Sequence, residues 1–199
     1  MFKLICVTDR RHSEDFLAQL EKIAAAGIDG VILREKDLGE EAYQSLAAKV
    51  MAVTEKYGVP LTLHNFTRAA RNLNTERIHL PLAKLRALSA PERSAFAVIG
   101  ASCHSAEEAR AAEALGASYI TAGHIYATDC KKGLPPRGTA LLREIRAAVS
   151  LPVYAIGGVT PERVAELKKA GADGGCVMSA LAQAEDPAAL IREWRDNDV

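Results

Sequence analysis

No apolar stretch of this 199-residue sequence is longer than a strand requires, so none is long enough to cross a membrane as a helix. The amino terminus passes from Met1 straight into Lys3-Leu4-Ile5-Cys6-Val7 without a basic region, a long apolar run and a cleavage site, which predicts a cytoplasmic protein. Neither sign of charge is in excess: 25 Lys and Arg balance 25 Asp and Glu. A global field that would draw nucleic acid or an acidic membrane is therefore absent, and any anion site must be local. The four cysteines, at 6, 103, 130 and 176, form no Cys-x-x-Cys pair and have no histidine at zinc-site spacing. Redox and structural-zinc motifs are thereby excluded, and free thiols are expected. Cys6 and Cys176 lie in apolar runs and read as core residues. Cys103 and Cys130 fall at a strand end and in a loop, with no base indicated beside either.

Nearly half the residues are apolar and a quarter charged, which suits one compact domain over 1–199. Short β-branched runs alternate with stretches of helical periodicity. Strands are predicted at 3–7, 30–34, 61–64, 77–80, 98–102, 119–122, 153–156 and 174–178, each followed by a helical or partly helical segment. Ser13 is read as the cap of a helix over 13–26, and a second helix runs over 40–57 to a stop at Gly58-Val59-Pro60. Ser105-Ala106-Glu107-Glu108 has capping-box spacing, and Thr160-Pro161 opens a helix closed by Gly171. Mostly apolar strands joined by helices belong to a parallel sheet covered on both faces, and eight such units predict a (β/α)8 barrel, a TIM barrel. At this length helices must be brief, most of all in the third and fourth units. A doubly wound sheet is the alternative, but Cys6-Val7-Thr8-Asp9-Arg10 lacks the glycine-rich turn that fold places after its first strand. A weak repeat, Gly27-Ile28-Asp29, Gly116-Ala117-Ser118 and Gly171-Ala172-Asp173, marks helix-to-strand turns and is read as structural.

Ile156-Gly157-Gly158 follows the seventh strand and Met178-Ser179 the eighth, where barrels commonly hold phosphate on backbone amides. Gly123-His124 leaves the sixth strand into a long loop through Arg137-Gly138, a candidate lid. His124 would face the barrel mouth, where an imidazole can both take and give a proton; its bland reading is a histidine bonded to backbone. Lys131 and Lys132 are ordinary loop charges unless one closes over a phosphate. In Leu33-Arg34-Glu35-Lys36-Asp37 the choice lies between an anion-binding Arg34 and an ion-pair network over the mouth. His64, Asn65, His79 and Ser102 sit where they could line the same opening. His12, His104 and Trp194 read as surface or packing residues.

Val7-Thr8-Asp9-Arg10, Arg34-Glu35-Lys36-Asp37, Ala155-Ile156-Gly157-Gly158-Val159 and Val177-Met178-Ser179-Ala180 occur in an order that resembles the thiamine phosphate synthase/TenI superfamily over nearly the whole chain. The resemblance implies a (β/α)8 barrel with a thiazole phosphate near its last two strands. In the synthase branch a magnesium-binding aspartate follows the residue matching Asn65, and a second lies a few residues past a His-Leu-Gly-Gln pattern. Here those positions are Phe66 and Lys84, the latter after His79-Leu80-Pro81-Leu82. The loop after Gly123 also looks like that of TenI, a thiazole tautomerase. The resemblance thus implies an isomerase without metal or other cofactor, acting on a phosphorylated carboxythiazole. His124 would move the proton, and Arg34, His64, Ser102, Lys132, Gly157, Gly158, Met178 and Ser179 would bind the substrate. The alternatives are thiamine phosphate synthase itself, a transferase, or a non-catalytic regulator binding thiazole phosphate or thiamine phosphate. A homo-oligomer, dimer or tetramer, is expected.

Overall fold

The computed structural model describes residues 1–128, 131 and 133–198. Among them the strands are β1 (Lys3–Val7), β2 (Gly30–Leu33), β3 (Leu61–His64), β4 (Arg77–Pro81), β5 (Val98–Cys103), β6 (Tyr119–Gly123), β7 (Val153–Ile156) and β8 (Gly174–Val177). All pairs are parallel, and β1 bonds both β2 and β8, with Cys6 opposite Val31 on one side and Val177 on the other, so the sheet closes. The expected (β/α)8 barrel is the fold, with strand ends within a residue of those read from the sequence.

Alternation along each strand separates two apolar layers. Leu4, Cys6, Val31, Leu33, Ile120, Val153, Ala155 and Val177 face the helices and join the large core. Val7, Ile32, Tyr119 and Cys176, with Ile5, Tyr154, Ile156 and Met178 against them, form a second cluster from the opposite parity, which is the barrel interior. The same parity on the other half of the barrel brings Thr62, His64, His79 and Thr121 inward, all buried. The interior is therefore apolar along β1, β2, β7 and β8, with Tyr119 of β6 extending that cluster, and these buried polar side chains lie on β3, β4 and β6.

The helices are α1 (Phe16–Ala25), α2 (Glu40–Lys56), α3 (Thr67–Asn72), α4 (Leu82–Ala87), α5 (Ala90–Ser94), α6 (Ala106–Ala114), α7 (Gly138–Ala148), α8 (Val164–Lys169), α9 (Ser179–Ala182) and α10 (Pro187–Asp196). The third and fourth units have helices of only five or six residues, a brevity that α8 and α9 share. Ser13 is not a helix cap: it closes a short 3-10 turn at Arg10–His12, and Asp15 caps α1 by accepting from the Ala18 amide at 3.1 Å. Ser105 caps α6 as expected, accepting from the Glu108 amide at 3.1 Å, while the Glu108 carboxylate reaches the His104 amide, one residue earlier than a capping box requires. The segment after Thr160 begins as a 3-10 turn at Pro161–Arg163 before α8. Trp194 is buried and stacks on Phe2.

The repeated turns have a defined task. Asp29, just before β2, accepts the Leu4 amide of β1 at 2.7 Å. Ser118, before β6, accepts the Ile99 amide of β5 at 3.1 Å, and Asp173, before β8, accepts the Val153 amide of β7 at 2.8 Å. Each polar side chain satisfies an amide near the start of the preceding strand, at the amino-terminal end of the barrel.

Candidate active site at the barrel mouth

The charge run after β2 splits by parity. Glu35 is buried and accepts from Thr8 Oγ1 at 2.6 Å, from the Arg10 amide at 3.1 and 3.2 Å, and from Arg10 Nη1 at 3.2 Å. Asp37 takes both Arg10 Nη atoms at 2.8 and 2.7 Å, and these bonds hold its carboxyl at about 2. The acids thus belong to an ion-pair network centred on Arg10, one of the two readings of this segment. Arg34 and Lys36, at the intervening positions, belong to a cationic group. Arg34 foremost, then burial and Lys131, lower the Lys36 ammonium below its ordinary value, and both cations act on His64. The Arg34 amide is anchored on Thr8 Oγ1 at 3.0 Å.

His64 and His79 stack with centroids 5.7 Å apart inside the polar half of the barrel. Both are held to about 3, chiefly by burial; for His64 the next causes are His79, Arg34, Lys36 and Lys84. Both rings are neutral at physiological pH. Tyr119 OH lies 3.1 Å from His79 Nδ1, and burial keeps that phenol protonated. Ser102 Oγ lies 2.9 Å from His79 Nε2, so each ring nitrogen has a hydroxyl partner that donates or accepts according to the tautomer. Gly100 leaves room for this chain, since a Cβ there would lie 2.4 Å from His79 Nδ1 and 2.2 Å from the Tyr119 ring. Tyr119 and Thr121 escaped the sequence reading. The parity of β6, with Ile120 and Ala122 facing outward, was the signal that placed them beside His79.

On the far side, Gly157 and Gly158 adopt φ of 96° and 64°. The carbonyls of Ile156 and Gly157 accept from the amides of Ile125 and Tyr126 at 3.0 and 2.9 Å, zipping the start of the β6 loop onto the β7 loop. Among the described residues, the amides of Gly157, Gly158 and Ser179 donate no backbone hydrogen bond. His124 is half-buried beside Gly157, with its Nε2 3.4 Å from the Leu134 carbonyl. Met178 packs into the interior cluster at the end of β8. Lys132 and Cys130 lie outside the described residues. Burial pushes the Cys6 and Cys103 thiols up to about 12 and the Cys176 thiol higher still, so these three are structural rather than nucleophilic.

The residues at the positions that the resemblance gives to magnesium do not fit it. Phe66 packs its ring 4.6 Å from that of Tyr43, whose hydroxyl donates to the Leu33 carbonyl at 2.7 Å and accepts the His64 amide at 2.8 Å. Lys84 extends from α4 over Phe66, 6.0 Å from the ring centroid, and lies 3.4 Å from the Asn65 carbonyl. A phenyl ring and an ammonium offer no hard oxygen. Glu35 and Asp37 are committed to Arg10, and among the described residues no three His, Cys, Asp or Glu side chains gather as a metal would need.

Residues 4–181 match the family model described as thiamine monophosphate synthase. The thiamine-phosphate synthase of Desulfitobacterium hafniense (strain DSM 10664 / DCB-2) is 35% identical over 207 residues, covering 98% of each chain. The putative thiamine-phosphate synthase 2 of Aquifex aeolicus (strain VF5) is 36% identical over 173 residues, covering 86% of this chain and 93% of that one. A solved thiamine phosphate pyrophosphorylase from Pyrococcus furiosus superposes with a TM-score of 0.82 at 28% identity, covering 99% and 95% of the two chains. These relatives correct the expected activity. The thiazole tautomerase, an isomerase with His124 as proton carrier, is overturned by full-length relatives named for the synthase, a transferase. The missing magnesium acids bear on how an anion is held, while the likeness to the synthases runs the whole length of the chain.

Proposed function

The chain belongs to the thiamine monophosphate synthase family, and on that premise we propose that it is a transferase joining a pyrimidine methyl group, delivered as its diphosphate, to a thiazole phosphate. A coupling of two phosphorylated substrates needs two anion sites, and the mouth presents two sets of groups suited to anions. The amides of Gly157, Gly158 and Ser179 stand at the ends of β7 and β8, while Arg34 and Lys36, just after β2, and Lys84, in α4 after β4, all act electrostatically on His64 at the end of β3. In a ring of eight strands, β3 and β7 lie opposite one another. This opposition is the observation that carries the proposal.

The thiazole phosphate takes the glycine side, where free amides and the short α9 meet it, with Met178 as the apolar floor. The pyrimidine diphosphate takes the cationic side. Neutral His64 and the Ser102 hydroxyl, oriented by His79, offer uncharged hydrogen-bonding groups to a heterocycle between them. His124 borders the glycine side and positions that loop. Charged substrates of this kind place the enzyme in the cytoplasm, and self-association into a dimer or tetramer belongs to the same proposal, read by light scattering.

The test incubates purified protein with thiazole phosphate and hydroxymethylpyrimidine diphosphate and follows thiamine phosphate by mass spectrometry alongside released diphosphate. Stoichiometric product requiring both substrates is expected, with Ser179→Asp, which puts a carboxylate in the phosphate cup, reducing turnover on the order of a hundredfold. Binding of both substrates without product would leave a ligand-binding protein and defeat the transferase reading.

A further inference from the structure

A second concavity lies at the amino-terminal ends of the strands, away from the mouth. Its volume is about 200 Å³, and its lining includes Lys3 of β1, Asp29 and Gly30 where β2 begins, Arg77 of β4, Tyr119 of β6 and Tyr154 of β7. Arg77 shares the inward parity of His79, two residues on, and is half-buried. Its Nε is buried and, among the described residues, has no hydrogen-bond partner. A guanidinium keeps its charge in any surroundings, so a buried N–H on it calls for an acceptor.

Asp29 is the carboxylate of this lining, and it is committed elsewhere. It accepts the Leu4 amide at 2.7 Å, Arg195 Nη2 at 2.7 Å and Lys3 Nζ at 3.3 Å. Asp173, at the same rim, is taken by the Val153 amide at 2.8 Å and by Arg146 Nη1 at 3.1 Å. None of these bonds reaches Arg77. The Tyr119 and Tyr154 rings, with centroids 5.2 Å apart, give the cavity an aromatic wall. Burial foremost raises the Tyr154 phenol, which stays protonated and can donate. The Tyr119 hydroxyl is engaged 3.1 Å from His79 Nδ1, so its ring stands between this cavity and the polar groups of the mouth.

We propose that this cavity binds a small aromatic carboxylate, whose oxygens meet Arg77 and whose ring lies on Tyr119 and Tyr154. The site is separate from the anion sites of the mouth and does not depend on the transferase reading. A planar carboxylate matches the guanidinium fork, and the aromatic wall takes the body that a bare inorganic anion lacks.

Calorimetric titration of the full chain with benzoate tests the site. Saturable binding is expected, with benzamide, the uncharged analogue, weaker by about tenfold or more. Arg77→Met should weaken benzoate binding by about tenfold to a hundredfold, as for loss of a charge-assisted hydrogen bond. Without benzoate this variant should unfold at the wild-type temperature or above, since it removes a buried donor that lacks a partner, and added benzoate should raise the melting temperature of the wild type alone. Gly30→Val should also weaken binding, by filling the cavity with Arg77 left in place; its Cβ would meet Ile5 Cδ1 at 3.3 Å and the Pro60 carbonyl at 3.6 Å. Excess thiazole phosphate should leave benzoate binding unchanged. No saturable binding, equal binding of benzamide, displacement by thiazole phosphate, or wild-type affinity in a folded Arg77→Met overturns the site. Should Arg77→Met fail to fold, wild-type affinity in Gly30→Val has the same force.

Discussion

His124 and Gly157 lie so close that a methyl carbon added at Gly157 would sit 2.4 Å from the His124 Cβ and 2.9 Å from its Cα. The β7 loop and the β6 loop are therefore one packed unit, and the glycine is required by contact as well as by its φ of 96°.

Gly157→Ala should lose about 2 to 4 kcal/mol of stability, from left-handed strain plus overpacking. Gly116→Ala is the matching comparison: its φ is 85° and nothing lies within 4 Å of an added carbon, so only strain of about 1 kcal/mol applies. Denaturant midpoints for the two variants decide the matter. Equal losses would mean that the His124 contact is not what fixes the glycine.

His64 and His79 take up protons near pH 6.5 in the unfolded chain but only near pH 3 in the fold. Their contribution to stability is complete above pH 6.5 and is lost as pH falls from 6.5 toward 3, by about 3 kcal/mol or more for the pair. Imidazole resonances of these two rings should stay fixed between pH 7 and 4.5. A midpoint above pH 5 in either ring would contradict their burial as neutral groups.

Glu35→Gln places an amide donor among the donors of Thr8 and Arg10. A stability loss of about 2 to 3 kcal/mol is expected, since the buried partner of a partly exposed arginine is removed. Because Arg34 shares Thr8 with Glu35, the variant should also weaken diphosphate binding. Unchanged affinity in a destabilised variant would show that Arg34 is held by other contacts.

Ser118→Ala and Asp173→Ala each strip the acceptor from a strand-start amide. Losses of about 1 kcal/mol for the hydroxyl and about 2 to 3 kcal/mol for the carboxylate are expected, the latter larger because Asp173 also receives Arg146 Nη1 at 3.1 Å. Faster hydrogen exchange at Ile99 and Val153, respectively, localises the effect.

The barrel was legible because its information is periodic and local: apolar strands, glycine stops after Ala26, Leu115 and Ala170, and eight repeats of one unit. The turn at Gly157-Gly158 was legible for the same reason, since the pair directly follows an apolar strand and both glycines take positive φ. Ser13 was misplaced because one polar residue near a helix start looks like another; only the 3-10 turn distinguishes it from Asp15. The split of Arg34-Glu35-Lys36-Asp37 into a salt-bridged pair and a cationic pair depends on Arg10, 24 residues before Arg34, and a linear pattern does not contain that encounter. The activity was misjudged because the residues at two positions, Phe66 and Lys84, outweighed a likeness that runs the whole length of the chain.

Asp29, Ser118 and Asp173 fasten successive units at one rim, while Phe66, Lys84 and Gly157 stand at the other. The bonds that close the barrel thus lie at the rim away from the mouth. Exposed side chains at the mouth can therefore change without touching the bonds that fasten one strand to the next. That separation makes the scaffold evolvable: chemistry drifts at one rim while the other keeps inheritance of the shape secure.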